Sequence, residues 1–299
     1  MKRVVFALHG HEALAAAIAG AIDGQVGELT MRRFPDREWY VRLVTPVADR
    51  NVVFVASLDD PDDKTLPLLF AAAAARDLGA PSVGLVAPYL AYMRQDTRFN
   101  PGEALTSVTY ARLLCGHFDW LVTVDPHLHR HRDLSEVYRI PSRVVPAAPA
   151  IAAWIRSNVR SPLLIGPDRE SAQWVGTIAG LSDAPFEIFD KERFGDRNVA
   201  VSANPVEQWR DRTPVVVDDI IASGRTMAMA VRALRDAGLA PPVCIGVHAI
   251  FAGDAQAFLQ AAGPARLVTC DTIAHPTNAI PLAPALGEAV RRQLAATDL

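Results

Sequence analysis

Apolar and polar positions follow two patterns that alternate along the chain. Short runs of mostly β-branched apolar residues alternate with longer stretches in which apolar residues recur every three or four positions. The first pattern predicts buried strands and the second predicts helices. The predicted strands are 3–8, 52–56, 83–87, 120–124, 163–165, 186–189, 215–217, 243–249 and 266–269. The predicted helices are 12–22, 64–78, 104–114 and 226–237.

This alternation predicts an α/β protein with two similar halves. Continuous apolar strands between helices are typical of parallel sheets that are covered on both faces. The proline-containing segment 144–150 is the best candidate for a linker, and it divides the 299 residues into domains 1–145 and 146–299. Ligands of open α/β sheets bind at the carboxyl ends of the strands. Candidate site residues should therefore directly follow predicted strands.

Composition excludes several classes of protein. Half of the residues are hydrophobic and 21% are charged, as in ordinary globular proteins. The formal net charge of -3 argues against a nucleic-acid-binding protein, because such proteins usually carry a basic face. The longest apolar stretch, 66–75, contains a proline and is about half the length of a membrane span. We therefore expect no nucleic-acid partner, no membrane partner and a cytoplasmic location.

Cysteine and histidine usage gives no clear metal site. Three widely spaced cysteines in apolar sequence predict reduced core thiols rather than disulfides or a zinc site. They are Cys115, Cys244 and Cys270. His127, His129 and His131 alternate as zinc ligands can, but no cysteine or acid cluster completes a tetrahedral set. We interpret His129 and His131 as solvent-facing loop residues.

The strongest candidate site follows strand 215–217. Asp218 and Asp219 come directly after the strand, followed by a turn of small residues and a helix. Such a turn presents backbone N–H groups and the positive end of a helix dipole, which together favour a phosphate. Ser223 and Thr226 add hydroxyl donors, and the two carboxylates could hold sugar hydroxyls. An ordinary strand–turn–helix with exposed acids would give a similar pattern.

This segment resembles the phosphoribosyl diphosphate (PRPP) binding motif of the type I phosphoribosyltransferase fold. That motif consists of four apolar residues, two acids and a small-residue loop that ends in threonine. It occurs in transferases that consume PRPP and in synthetases that make it. The residues that the resemblance implies for binding ribose 5-phosphate are Asp218, Asp219, Ala222, Ser223, Gly224, Arg225 and Thr226.

Other segments resemble the synthetase. Residues 88–96 are similar to the signature around its ATP-binding Arg-Gln-Asp, and residues 34–38 are similar to a segment that reaches the adenine of a neighbouring subunit. Residues 124–127 resemble a segment whose histidine serves the magnesium–ATP site. The residues that these likenesses imply for ATP binding are Phe34, Asp36, Glu38, Arg94, Gln95, Asp96 and His127.

Further likenesses concern the metal and the catalytic loop. Residues 166–168 resemble a turn whose acid lies near the metal, and residues 190–193 resemble the start of a mobile catalytic loop. Residues 248–251 and 270–273 match late segments of the family, and the polar stretch 195–205 suits a lid. The implied Mg²⁺ ligands are His127, Asp168, Asp218 and Asp219, and the implied catalytic cations are Lys191 and Arg193.

These likenesses run in family order along nearly the whole chain, which is therefore similar to ribose-phosphate pyrophosphokinases. The resemblance implies two phosphoribosyltransferase-like domains, each with a largely parallel sheet. It also implies a magnesium-dependent kinase of nucleotide biosynthesis, which transfers the diphosphoryl group of ATP to the 1-hydroxyl of ribose 5-phosphate and gives PRPP and AMP. A homo-oligomer, a dimer or dimer-based, is expected, because residues 34–38 should complete a neighbour's site.

The chain also departs from the family pattern. Ala222 replaces a common Asp, Arg225 replaces a usual Gly, Pro126 replaces a usual Leu, and Glu192 interrupts a basic triplet. These departures resemble the divergent, archaeal-type branch of the family more than the main bacterial one, so regulation by phosphate and ADP is not part of what the resemblance implies.

Alternative interpretations remain at this stage. A phosphoribosyltransferase would show a base-binding hood in place of residues 94–96. A catalytically silent regulatory homologue would have lost Lys191, Arg193, His127 or the Asp pair, and all of these are present. Residue by residue, Arg94 with Asp96 could be a surface ion pair, and Lys191 with Arg193 a solvated charged face.

Overall fold

The computed structural model describes residues 2–128, 130–194, 198–202 and 206–297, and for 190–194 and 198–202 it describes the backbone. The strands are β1 (Lys2–Ala7), β2 (Gln25–Val26), β3 (Leu29–Arg33), β4 (Trp39–Leu43), β5 (Arg50–Val55), β6 (Ser82–Ala87), β7 (Trp120–Val124), β8 (Ser142–Val145), β9 (Pro162–Gly166), β10 (Phe186–Ile188), β11 (Asp190–Phe194), β12 (Asn198–Ser202), β13 (Thr213–Ile220), β14 (Val243–His248), β15 (Arg266–Cys270) and β16 (Asn278–Ile280). The helices are α1 (Glu12–Ala21), α2 (Pro61–Asp77), α3 (Thr106–Cys115), α4 (Ala148–Asn158), α5 (Ala172–Ser182), α6 (Arg225–Asp236), α7 (Ala255–Ala261) and α8 (Ala283–Thr297).

The first compact unit, Met1–Val145 with Leu282–Leu299, is built on a parallel sheet in the order β2-β1-β5-β6-β7-β8. Its central strands are apolar on both faces because the sheet is buried on both faces. Gly84 in β6 leaves room for the Trp120 ring, since a Cβ there would lie 2.0 Å from ring atoms. β3 and β4 form a separate antiparallel hairpin.

The second unit, Pro146–Pro281, repeats this arrangement with the order β10-β9-β13-β14-β15-β16, again entirely parallel. β5 in the first sheet and β13 in the second therefore occupy the same place, third in the strand order. β11 and β12 form a separate antiparallel pair. The predicted fold class, two α/β units with parallel sheets, is confirmed.

Three features differ from the sequence analysis. The segment 144–150, expected as a linker, contains the end of β8 and the start of α4. α2 begins at Pro61, three residues before the predicted start, because proline is well suited to the first helical position. Residues 282–299, placed in the second domain by the sequence analysis, group with the first unit. There, Leu286, Val290 and Leu294 of α8 are buried, and α8 packs on α1, β7 and β8.

The cysteines are free thiols, as predicted. Cys244 and Cys270 are buried and Cys115 is half-buried. Burial raises the pKa of Cys244 far above its usual value, so this thiol is unreactive. Within the part of the chain that the structure describes, none of the helices combines the length and hydrophobicity needed to span a bilayer.

Candidate active site

The predicted phosphate-binding turn lies between β13 and α6 and is fixed by the backbone of the segment that follows β14. Ile221 N donates to His248 O at 3.0 Å, and Phe251 N donates to Ile221 O at 2.8 Å. Ala252 N donates to Ala222 O at 2.9 Å. The turn is thus anchored by three backbone hydrogen bonds before any ligand arrives, as a preorganised binding site requires.

Gly224 is the residue that allows this turn to approach α7 and enter α6. It caps α6 with a φ of 67°, in the left-handed region that favours glycine. A Cβ at this position would lie 3.0 Å from the Ala255 carbonyl oxygen, closer than side chains normally come. The turn is therefore shaped for glycine on two independent grounds.

The side chains around Gly224 leave the mouth of the turn accessible. Ser223 and Arg225 are exposed, whereas Ala222 and Thr226 are half-buried. Arg225 N lies 3.5 Å from Ser223 Oγ, and Arg225 is the first residue of α6. The first N–H groups of a helix have no acceptor within the helix, so this end of α6 suits an anion. We name residues 221–226 the phosphate loop.

The three acidic residues predicted as Mg²⁺ ligands lie at the same edge of the second sheet. Asp218 and Asp219 are half-buried at the end of β13, and Asp219 N donates to Asp218 Oδ1 at 3.0 Å. β9 and β13 are parallel neighbours with Ile165 opposite Val216, so Asp168 follows β9 at this edge. Asp168 also caps a short helical turn, because its Oδ1 accepts from Ser171 N at 3.3 Å.

The three residues of the Arg-Gln-Asp segment after β6 differ in solvent exposure and in their contacts. Arg94 and Gln95 are exposed, and the Gln95 side chain accepts a hydrogen bond from Thr106 Oγ1 at 2.8 Å. The Asp96 side chain is 1% exposed and pairs with Arg130 at 2.8 Å. The surface ion pair considered between Arg94 and Asp96 is therefore not formed. Asp96 instead holds the segment that follows β7.

The turn after β7 has unusual backbone geometry. Asp125 and His127 have φ values of 31° and 55°, in the left-handed region that residues other than glycine avoid. His127 N donates to Asp125 O at 2.9 Å, which closes a tight turn around Pro126. Such conformations cost about 1–3 kcal/mol each and concentrate at functional sites. This geometry agrees with a binding role for His127.

The histidine cluster does not form a metal site in the described residues. His131 was expected to face solvent, but its side chain is only 20% exposed and its Nδ1 lies 3.0 Å from Glu136 Oε2. His129 lies outside the described residues. Among those that are described, no group of three His, Cys, Asp or Glu side chains is arranged to hold a metal ion.

The hairpin β3–β4 carries the predicted adenine-binding residues at its tip. Phe34 N donates to Glu38 O at 2.8 Å, and Glu38 N donates to Asp36 Oδ1 at 3.2 Å. The Asp36 carboxylate therefore stabilises the turn itself. The Phe34 ring is 37% exposed, which leaves it accessible for stacking.

Arg32 organises the aromatic side chains of this hairpin. Its guanidinium lies 4.5 Å from the ring centroids of both Phe34 and Tyr40. The two rings meet edge to face with centroids 6.0 Å apart. Cation–π contacts of this kind favour a single orientation of Phe34. The Phe34 ring is thus preoriented at the hairpin tip.

Lys191 and Arg193 lie in β11, opposite Val201 and Val199 of β12. Their side chains are outside the described part of the structure. The stretch 195–205 was predicted as a polar lid, but its residues 198–202 form β12. Residues 195–197 and 203–205 of that stretch lie outside the described residues.

The sequence analysis missed a buried polar group at the carboxyl edge of the first sheet. Ser57 N donates to His11 Nε2 at 3.2 Å, and Tyr89 N donates to Ser57 Oγ at 3.1 Å. Burial, and secondarily the Lys64 charge, lower the pKa of His11 below 6.5, so the imidazole is neutral and accepts this bond. The rule that ligands gather where strands end would have pointed to residues after β1 and β5.

We expect His11 to make folding sensitive to mild acid. Because its pKa is lower in the folded state, the unfolded chain binds the proton first, and stability is lost as the pH falls through about 6.5. Urea unfolding at a series of pH values should show a steeper loss of unfolding free energy below about pH 6.5 in the wild type than in His11→Gln. Equal slopes in the two proteins would contradict this assignment.

Comparison with known proteins identifies both halves of the chain. Residues 3–116 match the family model described as the N-terminal domain of ribose phosphate pyrophosphokinase. Residues 134–284 match the model described as a phosphoribosyl transferase domain. The chain is 32% identical over 280 residues to the ribose-phosphate pyrophosphokinase of Methanopyrus kandleri, which covers 93% of this chain and 94% of that protein. For the protein of the same name from Halobacterium salinarum, the identity is 32% over 284 residues, with 93% and 97% covered.

A solved structure has the same fold as this chain, and the likeness extends over nearly the whole of both chains. The crystal structure of phosphoribosylpyrophosphate synthetase from Mycobacterium smegmatis matches with a TM-score of 0.85 and 22% sequence identity. The match covers 99% of this chain and 100% of the other. The two-unit architecture is therefore that of a known fold.

Proposed function

The chain belongs to the ribose-phosphate pyrophosphokinase family, and we propose on this basis that it transfers the diphosphoryl group of ATP to the 1-hydroxyl of ribose 5-phosphate. The products are PRPP, a precursor in nucleotide biosynthesis, and AMP. The observation that carries the proposal is the end of β13, where two carboxylates precede the phosphate loop with its left-handed glycine and the N-terminus of α6. A match of residues 3–116 to the synthetase's own N-terminal domain argues against a phosphoribosyltransferase.

In this proposal the second unit binds the sugar phosphate. Ser223, Gly224, Arg225 and Thr226 hold the 5-phosphate, and the carboxylates after β13 hold the ribose hydroxyls. Two departures from the family pattern fit this role. Ala222 contributes through its backbone oxygen, which accepts from Ala252 N at 2.9 Å. The exposed Arg225 adds positive charge at the entrance to α6.

The first unit binds ATP. Arg94, Gln95 and His127 contact the triphosphate, whereas the buried Asp96 acts through Arg130 by ordering the turn after β7. Phe34 and Glu38 on the hairpin contact the adenine of a neighbouring subunit, with Asp36 shaping the turn that presents them. Because the hairpin of one subunit contacts the adenine that another subunit binds, the proposal requires a homo-oligomer.

The residues at the strand ends suit Mg²⁺. This hard cation prefers oxygen ligands, and proteins usually supply only one or two carboxylates while substrate phosphates and waters complete its shell. Asp218 and Asp219 provide such carboxylates at one strand end, with Asp168 at the adjacent strand and His127 in the first unit as further candidates. Bound there, Mg²⁺ would neutralise phosphate charge.

The chemistry then depends on alignment and charge. The 1-hydroxyl oxygen bonds to the β-phosphorus of ATP as the bond between that phosphorus and the oxygen shared with the α-phosphate breaks. Phosphoryl transfer of this kind needs positioning and neutralisation of charge more than covalent catalysis. The phosphate loop fixes the sugar, and Lys191 and Arg193 stabilise the charge that is shared among sugar, diphosphate and AMP.

An assay of the purified protein tests the proposal. AMP formation from ATP should require both ribose 5-phosphate and Mg²⁺, and PRPP should accumulate in the same amount. A catalytically silent homologue would form neither product. A phosphoribosyltransferase would instead consume added PRPP in the presence of a base and release diphosphate.

The proposal also includes a cytoplasmic location. The three free cysteines support a reducing compartment, since disulfides are rare there.

Hybrid sites provide a test of the proposed assembly. Phe34→Ala should damage the neighbour's adenine site, whereas Lys191→Ala should damage the subunit's own catalytic loop. Mixing the two inactive proteins under conditions of subunit exchange should restore up to about a quarter of wild-type activity, because some sites then have both parts intact. Self-mixtures of each variant are the controls. No recovery, with exchange demonstrated by differently tagged chains, would indicate a self-contained site.

A further inference from the structure

The first unit contains a counterpart of the phosphate loop with the opposite chemistry. β5 and β13 are both third in their sheets, and each leads through a short loop into a helix. The residue before each helix is left-handed, with φ 50° at Asp60 and 67° at Gly224. However, the first unit has carboxylates and a proline, residues 59–63, where the second has small polar residues. We name residues 59–63 the acidic turn.

The acidic turn is unsuited to phosphate. Its four carboxylates repel an anion, and Pro61 removes a backbone donor at the helix start. Three of the carboxylates instead contact other parts of the first unit. Asp59 pairs with Lys64 at 2.6 Å. Asp63 pairs with Arg33 at 2.6 Å, and Tyr92 Oη donates to Asp62 Oδ1 at 2.9 Å.

Two of these contacts reach the segments that we assign to ATP. Arg33 is the last residue of β3 and directly precedes Phe34. Tyr92 lies two residues before Arg94 in the Arg-Gln-Asp segment. Asp62 and Asp63, which are adjacent at the start of α2, therefore contact both segments that we assign to ATP binding in the first unit.

Tyr92 is placed to control the backbone of its segment. Its φ is 62°, a conformation that tyrosine avoids unless its surroundings impose it, and its carbonyl accepts from Gln95 N at 3.3 Å. Its ring packs on Tyr110 with centroids 4.8 Å apart. The hydrogen bond to Asp62 raises the pKa of Tyr92, so the phenol stays protonated and donates.

We propose that Asp62 is a positioning residue for ATP, because it holds Tyr92 in the conformation that presents Arg94 and Gln95 to the triphosphate. This inference rests on the proposed function. At the position where the second unit carries the phosphate loop, the first unit therefore carries a strand–turn–helix that supports the proposed nucleotide site.

Variants of Asp62 and Tyr92 test the inference, with the KM for ATP and the KM for ribose 5-phosphate as the measured quantities. Tyr92→Phe and Asp62→Ala should each raise the KM for ATP about tenfold, the typical effect of losing a hydrogen bond to a charged group, and leave the KM for ribose 5-phosphate unchanged. Asp62→Asn keeps an acceptor oxygen but loses the charge, so its KM for ATP should lie between those of the wild type and Asp62→Ala. The double variant Asp62→Ala/Tyr92→Phe should be no worse than either single variant, because both remove the same bond.

Tyr110→Phe is the matched control. It makes the same chemical change in the adjacent ring, whose hydroxyl shares a hydrogen bond with Thr65 Oγ1 at 2.7 Å rather than with Asp62. It should leave the KM for ATP unchanged. Calorimetric binding of α,β-methylene ATP, which cannot transfer its diphosphoryl group, should show the same order of affinities as the KM values.

Two results would overturn the inference: unchanged analogue binding in Tyr92→Phe, or equal weakening in Tyr110→Phe. Failure of the proposed function is a separate outcome. In that case the wild type makes no PRPP, while the calorimetry still decides whether Asp62 and Tyr92 support nucleotide binding.

Discussion

Replacing Lys191 with alanine is expected to lower turnover by about 10²–10³-fold, the usual cost of removing one preorganised contact to transition-state charge. The KM values for ATP and ribose 5-phosphate should change little, because the interaction is made only as charge is redistributed during transfer. Steady-state kinetics with each substrate varied in turn provides the measurement.

Glu192→Ala is the matched control for this result. Successive residues of a strand lie on opposite faces, so Lys191 and Arg193 share one face of β11 and Glu192 lies on the other. Glu192→Ala should therefore retain nearly wild-type turnover. Wild-type turnover in Lys191→Ala would show that the catalytic cation lies elsewhere, with Arg225 the first candidate.

The second large effect is expected at Gly224. A methyl group there would meet the Ala255 carbonyl oxygen at 3.0 Å, in a backbone conformation with φ +67° that side chains rarely adopt. Gly224→Ala should therefore shift the phosphate loop and weaken hydrogen bonds to the 5-phosphate. Losing one such charge-assisted bond, worth roughly 1.5–3 kcal/mol, raises the KM for ribose 5-phosphate about 10–100-fold. The KM for ATP should stay unchanged.

Gly253→Ala separates backbone strain from the loop's function. Gly253 also has a positive φ, +60°, but a Cβ there would have nothing within 4 Å. It should cost some stability and leave the KM for ribose 5-phosphate near the wild-type value. If both variants weaken ribose 5-phosphate binding equally, the effect of Gly224→Ala is strain alone, and the phosphate loop is misassigned.

Helices α1, α2, α3 and α6 could be predicted from their periodicity, whereas α4, α5, α7 and α8 were not predicted. The central strands of both sheets could be predicted because buried parallel strands are continuous apolar runs. The hairpin β3–β4 was not predicted, because its strands are not continuous apolar runs. Its first strand, Leu29–Arg33, is mostly half-exposed and ends in two arginines, so it has neither an apolar run nor a clean alternation. The adenine-binding role that we propose for it rests on resemblance to a family, and the contacts of Arg32 with the aromatic rings depend on the folded hairpin.

Long-range contacts set the other limit of prediction. The partner of Asp96 is Arg130, 34 residues away, and nothing local in the Arg-Gln-Asp segment indicates it. The same holds for Tyr92 and Asp62, which are 30 residues apart. The packing of α8 on the first unit likewise follows from tertiary structure, since its sequence position adjoins the second. The residue types of a site can be read from sequence, but their division into contacting and positioning residues cannot.

The measurement that tests the central claim most directly follows the label of ATP into products. With ribose 5-phosphate and Mg²⁺ present, label in the α-phosphate should appear only in AMP, and label in the γ-phosphate should appear only in PRPP. This outcome requires cleavage between the α- and β-phosphates with transfer of the intact diphosphoryl group. Formation of ADP, with the γ-label in a ribose bisphosphate or in free phosphate, would contradict the account.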